Sequence, residues 1–188
     1  LSVGDKPTDL VADRVDLAVR ITNTLDPAMI ARPLARCRSM LCASPDYLQR
    51  HSLPRTADDL RQHCCIAHAF GIGKQYRLSR NGATLTVPVN WSFHTNETAV
   101  LRRAVLSGAG IGMLPTYYLD DGLGAGRLVH LLPDYEPEVL GIHAIYLSRQ
   151  HQPLALRLLV DFLAARFGGE LAPWDLALNE KLVSAVAG

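Results

Sequence analysis

Between a polar opening at Asn96 and two glycines at Gly108 and Gly110, apolar residues fall at Val100, Leu101, Ala104 and Val105. That i, i+1, i+4, i+5 spacing marks one buried face of a helix. Thr95 or Asn96 can cap the first turn, and Glu97 stands near the positive end of the helix dipole. Gly108 and Gly110 are expected to stop the helix, because glycine enters left-handed backbone space without steric cost. The apolar run from Ile111 to Leu114 predicts a buried strand, and Pro115 turns the chain onward. Helix, glycine turn and strand make half of a βαβ-type unit, whose helix start faces whatever lies in front of the sheet.

The remaining periodicities organise around this segment. The chain predicts a strand end at Leu1–Val3, a turn at Gly4-Asp5, and a short helix from Pro7 to Arg14 with Leu10 and Val11 turned inward. Extended stretches follow at Val15–Ile21, Met29–Leu34 and Arg38–Ala43, the last two suggesting an antiparallel excursion before Ser44-Pro45. Pro45 to His51 and Thr56 to His63 read as short helices, the second opened by a cap with an acidic third residue, Asp59. Cys64–Phe70 is strand-like. Asn81-Gly82 between the alternating runs Tyr76–Arg80 and Ala83–Pro88 predicts a tight type I′ hairpin. Thr116–Gly122 reads as a helix, Arg127–Leu132 and Leu140–Leu147 as strands, and Pro153–Phe167 as a helix. That helix carries Leu156, Leu159, Val160, Leu163 and Phe167 on one face, with a weaker helical pattern from Leu176 to Val186. Alternating strands and helices imply an α/β architecture with mainly parallel sheets covered on both sides.

Composition narrows the function classes. A net charge of +1 with scattered arginines argues against wholesale nucleic-acid or anionic-membrane binding. No apolar run approaches a membrane span of about 18 residues, and Leu1–Lys6 lacks the pattern of a signal peptide; the expected compartment is cytoplasmic. The four cysteines (Cys37, Cys42, Cys64, Cys65) make no disulfide framework in 188 residues. His63, Cys64, Cys65 and His68 are not expected to bind a metal, because adjacent strand residues point to opposite faces. Catalytic motifs are missing, and Gly108–Gly112 follows a helix and precedes a strand, the reverse of a dinucleotide loop. No enzyme activity, cofactor or metal is expected.

Seven segments occur in order: D-L-V-A-D-R-V-D-L-A-V-R-I (Asp9–Ile21), I-A-R-P-L-A (Ile30–Ala35), L-C-A-S-P-D-Y-L (Leu41–Leu48), D-L-R-Q-H-C-C-I (Asp59–Ile66), G-A-G-I-G-M-L-P (Gly108–Pro115), G-R-L-V-H-L-L-P (Gly126–Pro133) and L-R-L-L-V-D-F-L (Leu156–Leu163). Together the series resembles the effector-binding half of LysR-type transcriptional regulators, over roughly residues 1 to 168. The resemblance implies two Rossmann-like subdomains of periplasmic-binding-protein type II architecture. Residues 1–43 with 141–168 would form a discontinuous first subdomain, 44–140 the second, and 169–188 a C-terminal tail. It implies a small-molecule effector in a cleft between them, for which one arginine, hydroxyls and an amide would suit a small carboxylate or aromatic acid. It also implies a homodimer or higher homo-oligomer.

The family's winged helix-turn-helix is not present, so DNA binding would belong to a missing N-terminal domain. The family's first strand and helix are missing too, and the chain is expected to be a fragment or to have a misassigned start. The gap in the first sheet would leave edge groups that recruit another chain. By the family pattern the effector contacts are Gly4, Asp5, Arg20, Thr22, Phe70, His94, Thr95, Asn96 and Pro115. Arg20 is either a bidentate carboxylate ligand or the partner of Asp5, Asp16 or Asp26. His94, Thr95 and Asn96 are either contacts or local structure, and His143 is expected to be a satisfied core histidine. A transport-type solute-binding protein or an enzyme on the same bilobal fold are the alternatives.

Overall fold

The computed structural model describes residues 3–4, 9–68, 75–119, 122–147, 153–168 and 171–178. Strands are β1 (Ala18–Ile21), β2 (Met29–Cys37), β3 (Ser39–Ala43), β4 (Cys64–His68), β5 (Gln75–Arg80), β6 (Ala83–Pro88), β7 (Asn90–Thr95), β8 (Ile111–Pro115), β9 (Val129–His130), β10 (Glu136–Pro137) and β11 (Leu140–Leu147). Helices are α1 (Pro45–Arg50), α2 (Thr98–Leu106) and α3 (Leu154–Phe167), with 3-10 turns at Ala57–Gln62 and Thr116–Tyr118. The chain divides into two units, one built on Arg38–Glu138 and one on Lys6–Cys37 with Val139–Glu180.

The first unit holds a five-stranded sheet in the order β7-β4-β8-β3-β9. β4 runs parallel to both β7 and β8, so β7, α2 and β8 form a crossover that passes over β4. β3 pairs antiparallel with β8 and β9. The β5–β6 hairpin and β10 make a second, small sheet. At its tip Asn81 and Gly82 have φ of 52° and 78°, as a type I′ turn requires. Leu41, Tyr47, Leu60, Cys65, Leu78 and Ile111 belong to one buried cluster shared by the sheet, α1 and the hairpin.

Local chemistry accounts for the connections. Ser44 caps α1, its Oγ accepting from the Tyr47 N–H at 3.2 Å, with Pro45 in the first turn. Asp59 closes a capping box on the first 3-10 turn, its Oδ2 accepting from the backbone N–H of Arg55 and Thr56 at 2.9 Å each. Gly108, at φ 77°, ends α2 in the left-handed conformation. Gly110 has no such φ and serves a different purpose: a Cβ there would lie 2.5 Å from the Cys64 carbonyl oxygen, so glycine lets β4 approach.

The second unit contains the sheet β1-β11-β2, in which both pairings are antiparallel. The expectation of mainly parallel sheets therefore holds only for β7, β4 and β8. β11 returns from far along the chain and inserts between β1 and β2, which need no helical crossover of their own. Pro33 sits beside a register shift on the edge strand β2, the kind of position at which sheets tolerate proline. β1 is the other edge of this sheet, and its described strands pair without a gap; Leu1 and Ser2 lie outside the described residues.

Two helical expectations change. Residues 10–14 form turns rather than a helix, and Leu10 is buried while Val11 is 64% exposed. The Asp9 carboxylate accepts from the N–H groups of Val11 and Ala12 at 2.9 and 3.0 Å, a side-chain turn that competes with helix. α3 buries Val160 and partly buries Leu156, Leu163 and Phe167, but Leu159 is exposed, as are Leu154, Leu158 and Phe162. A helix apolar on several sides does not reveal which side faces its sheet. A short helix at residues 173–178 follows.

Candidate functional site

In the first unit, the carboxyl ends of β7, β4 and β8 come to one edge of the sheet. Register places His94 opposite Ala67 and Thr95 opposite His68. At the end of β8, Pro115 pairs with Ser39 at the start of β3. The next residue, Thr116, is buried; its N–H donates to the Arg38 carbonyl at 3.0 Å and its hydroxyl to the same oxygen at 3.3 Å. The edge is thus rigid on the β8 side and more open on the β7 side, where His94 and Asn96 are exposed and Thr95 is half-buried.

α2 starts at this edge. Its N-cap is Glu97, whose side chain makes no capping hydrogen bond, rather than Asn96 or Thr95. Thr95 contributes one step earlier: its Oγ1 accepts from the Glu97 N–H at 3.1 Å. The first-turn N–H groups have no acceptor within the helix itself, and with the dipole they favour a negative or polar group in front of them. Leu101 and Val105 anchor the helix, being 2% and 0% exposed, whereas Val100 is 40% exposed and lies off the buried face. Arg102 reaches from α2 to the Tyr118 carbonyl at 2.7 Å and ties the helix to the turn after β8. His94, Thr95, Asn96 and Pro115 are therefore brought together around one edge. Ser39, His68 and Thr116 join them; sequence reasoning missed these, although Thr116 directly follows Pro115.

Arg20 and Thr22 belong to the other unit, at the end of β1. Arg20 is half-buried, stands opposite His143 in the ladder, and its field helps hold the Asp9 carboxyl below the ordinary range. The larger cause of that shift is the pair of backbone N–H donors from Ala12 and Val11. Thr22 is engaged locally: its hydroxyl donates to the Thr24 carbonyl at 3.1 Å and accepts from the Thr24 N–H at 3.0 Å. Gly4 is exposed and has open space where a Cβ would stand, so nothing there demands glycine. Asp5 and Phe70 lie outside the described residues. His143 is not a satisfied core histidine: its Nδ1 is buried without a hydrogen-bond partner among the described residues, and its ring fills the space over Gly141.

A second polar cluster supports the same sheet from below. The Tyr47 hydroxyl accepts from the Cys64 N–H at 3.1 Å and shares with His63 Nδ1 a hydrogen bond of 3.0 Å whose direction is set by the tautomer of the ring. Burial, and after it the nearby His51, push the pKa of His63 down, with Asp59 opposing. Burial pushes the Cys42 and Cys65 thiols up to about 12, so both are protonated and inert as nucleophiles. Among the described residues no group of three or more His, Cys, Asp or Glu is placed to hold a metal ion. No helix among them is long and apolar enough to cross a membrane.

Comparison with known proteins gives a consistent picture. Residues 1–168 match the family described as LysR substrate binding domain. The chain is 34% identical over 168 residues to the probable HTH-type transcriptional regulator LtrA of Klebsiella pneumoniae, covering 87% of this chain and 54% of LtrA. Full-length AphB, a virulence activator of Vibrio cholerae and a LysR-type regulator, superposes with a TM-score of 0.73 at 30% identity, over 84% of this chain and 54% of AphB. The regulatory domain of CrgA from Neisseria meningitidis gives 0.71 at 28% identity, over 84% of this chain and 78% of that domain. The chain spans about half the length of the curated relatives it matches.

Proposed function

The chain belongs to the LysR substrate-binding-domain family, with the periplasmic-binding-protein-like type II fold of LysR-type regulatory domains, and from that membership we propose that it senses a small effector at the carboxyl edge of β4, β7 and β8. The observation that carries the reading is the opening of α2 onto that edge beside His94, Thr95 and Asn96, with Pro115 and Thr116 closing the β8 side. Oriented N–H groups, a hydroxyl, an amide and an imidazole suit a small carboxylate or another polar metabolite. Arg20, Thr22, Gly4, Asp5 and Phe70 are kept as the further contacts that the family resemblance implies.

The relatives are named as transcriptional regulators, and the reading adopted is a binding module without catalysis. In the whole protein, effector binding would bias DNA binding by a helix-turn-helix region, as the relatives' names suggest, in the cytoplasm. Copies of this domain would associate in pairs.

A thermal-shift screen of small carboxylates and other metabolites tests the sensing claim. A ligand at 100 times its dissociation constant stabilises by about 2.7 kcal/mol, so a true effector raises the midpoint visibly. His94→Ala and Asn96→Ala should each reduce that rise. Hits whose effect both variants leave intact would move the site elsewhere.

A further inference from the structure

We propose that this chain carries a second small-molecule site, in the cavity beside the β5–β6 hairpin, suited to an amphipathic carboxylate. The cavity measures about 410 Å³ and lies within the Arg38–Glu138 unit, lined by residues of the first 3-10 turn, the hairpin and Tyr135. That volume falls in the range of small-ligand pockets, roughly 300–1,000 Å³. None of the expected effector contacts lines it.

The lining divides into an apolar floor and a cationic rim. Val87 and Tyr135 are 4% and 9% exposed, and Leu85 packs against the same buried cluster. Two guanidinium groups, Arg61 and Arg80, enter from different elements. Arg80 is braced: its Nη1 donates to the Tyr135 hydroxyl at 3.1 Å, and its Cζ stands 4.9 Å from that ring's centroid. Asp134 lies 3.8 Å from its Nη2 but is 75% exposed. A guanidinium has five N–H donors, so this bracing orients Arg80 without exhausting it.

Arg61 is held by Asp58, at 2.9 Å between Nε and Oδ1, in a pair whose side chains are 56% and 77% exposed. Exposed pairs of this kind are weak, so a ligand carboxylate can take the place of Asp58 at little cost. Each arginine thus faces one exposed carboxylate, Asp58 or Asp134, and an anion is favoured over a neutral body of the same shape only in so far as its carboxylate replaces these weak pairs. The ring or branched tail of the ligand would lie on Leu85 and Val87, with its carboxylate between the arginines.

The test uses phenylacetate as probe and phenylacetamide as its uncharged counterpart, with amide chemical shifts of the labelled chain as readout. Phenylacetate should shift the amides of Asn81, Gly82 and Thr86 saturably, and phenylacetamide should not. Arg80→Gln and Arg61→Gln should each weaken the binding about tenfold, the value of one charge-assisted hydrogen bond. Arg61→Gln touches only an exposed pair and so keeps the test valid if loss of the Tyr135 brace unfolds the other variant. His94→Ala, at the α2 edge, should leave these shifts unchanged. Absence of saturable shifts with phenylacetate, equal binding of phenylacetamide, or loss of the shifts in His94→Ala but not in Arg61→Gln would each overturn the proposal.

Discussion

Replacing Tyr47 by phenylalanine removes one oxygen from a side chain that is 1% exposed. That oxygen satisfies two groups at once, the Cys64 N–H at 3.1 Å and His63 Nδ1 at 3.0 Å, at the point where the first 3-10 turn enters β4. The ring stays, so packing with His51, stacked at 4.3 Å, is preserved, and the loss is one of hydrogen bonding alone. A buried polar group left without a partner costs about 1–3 kcal/mol. Cys64 is only half-buried and recovers part of its loss from water, so the pair should cost about 2–4 kcal/mol together. For a chain of this size each kcal/mol lowers the melting midpoint by about 2–4 °C, giving a fall of roughly 4–16 °C. Urea unfolding followed by circular dichroism, with an unchanged slope against urea, measures this directly. A variant within about 0.5 kcal/mol of the wild type would refute the bridge.

Acid should destabilise the wild type through His63 and His130, whose pKa values burial pushes below the ordinary 6.5. The unfolded chain then binds protons first, so stability present above about 6.5 is lost as pH falls below it; urea midpoints unchanged from about pH 7.5 to about pH 5 would contradict this. Gly110→Ala should destabilise more than Gly112→Ala, by about 1–3 kcal/mol against the wild type. Both added methyls meet an atom at 2.5 Å, but the first meets the backbone oxygen of Cys64 and the second the Cγ2 of Val105, a side-chain atom that yields at lower cost than the backbone of a sheet; equal unfolding midpoints would contradict that ranking. The chain should self-associate, because Leu154, Leu158 and Phe162 form an exposed stripe on α3, each near 60% exposed. Sedimentation at a single 20.6 kDa species, unchanged on raising the concentration, would rule that out.

Much of the fold was legible because certain residues leave the backbone few options. Asn81-Gly82 permitted one tight turn, Ser44-Pro45 one helix start, and the run Leu140–Leu147 became β11 with the same ends. Where the outcome depended on a distant partner, local pattern was insufficient. Asp9 turned residues 10–14 away from helix by accepting two backbone N–H groups. α3 is apolar on more than one side, so the face packed on β2 could not be read from spacing. The same limit applies to the site. Asn96 was recognisable as part of a polar segment that opens a helix, but the strand β7 that carries His94 and Thr95 was not read from the sequence, and the meeting of β8's end with Ser39 depends on an antiparallel pairing far apart in sequence. Arg20 was expected either to bind a carboxylate or to pair with Asp5, Asp16 or Asp26; among its neighbours is also Asp9, whose carboxyl is held down chiefly by the backbone N–H groups of the unexpected turn and to a lesser extent by the field of Arg20.

The central claim is that an effector binds where α2 opens onto the carboxyl edge of β4, β7 and β8. The most direct measurement is amide chemical-shift mapping of the labelled chain with the best stabilising carboxylate from the thermal screen. The account predicts saturable shifts concentrated at His94, Thr95, Asn96, Glu97 and Thr98, weakened in His94→Ala and Asn96→Ala. A ligand that binds saturably yet leaves residues 94–98 unshifted would contradict it.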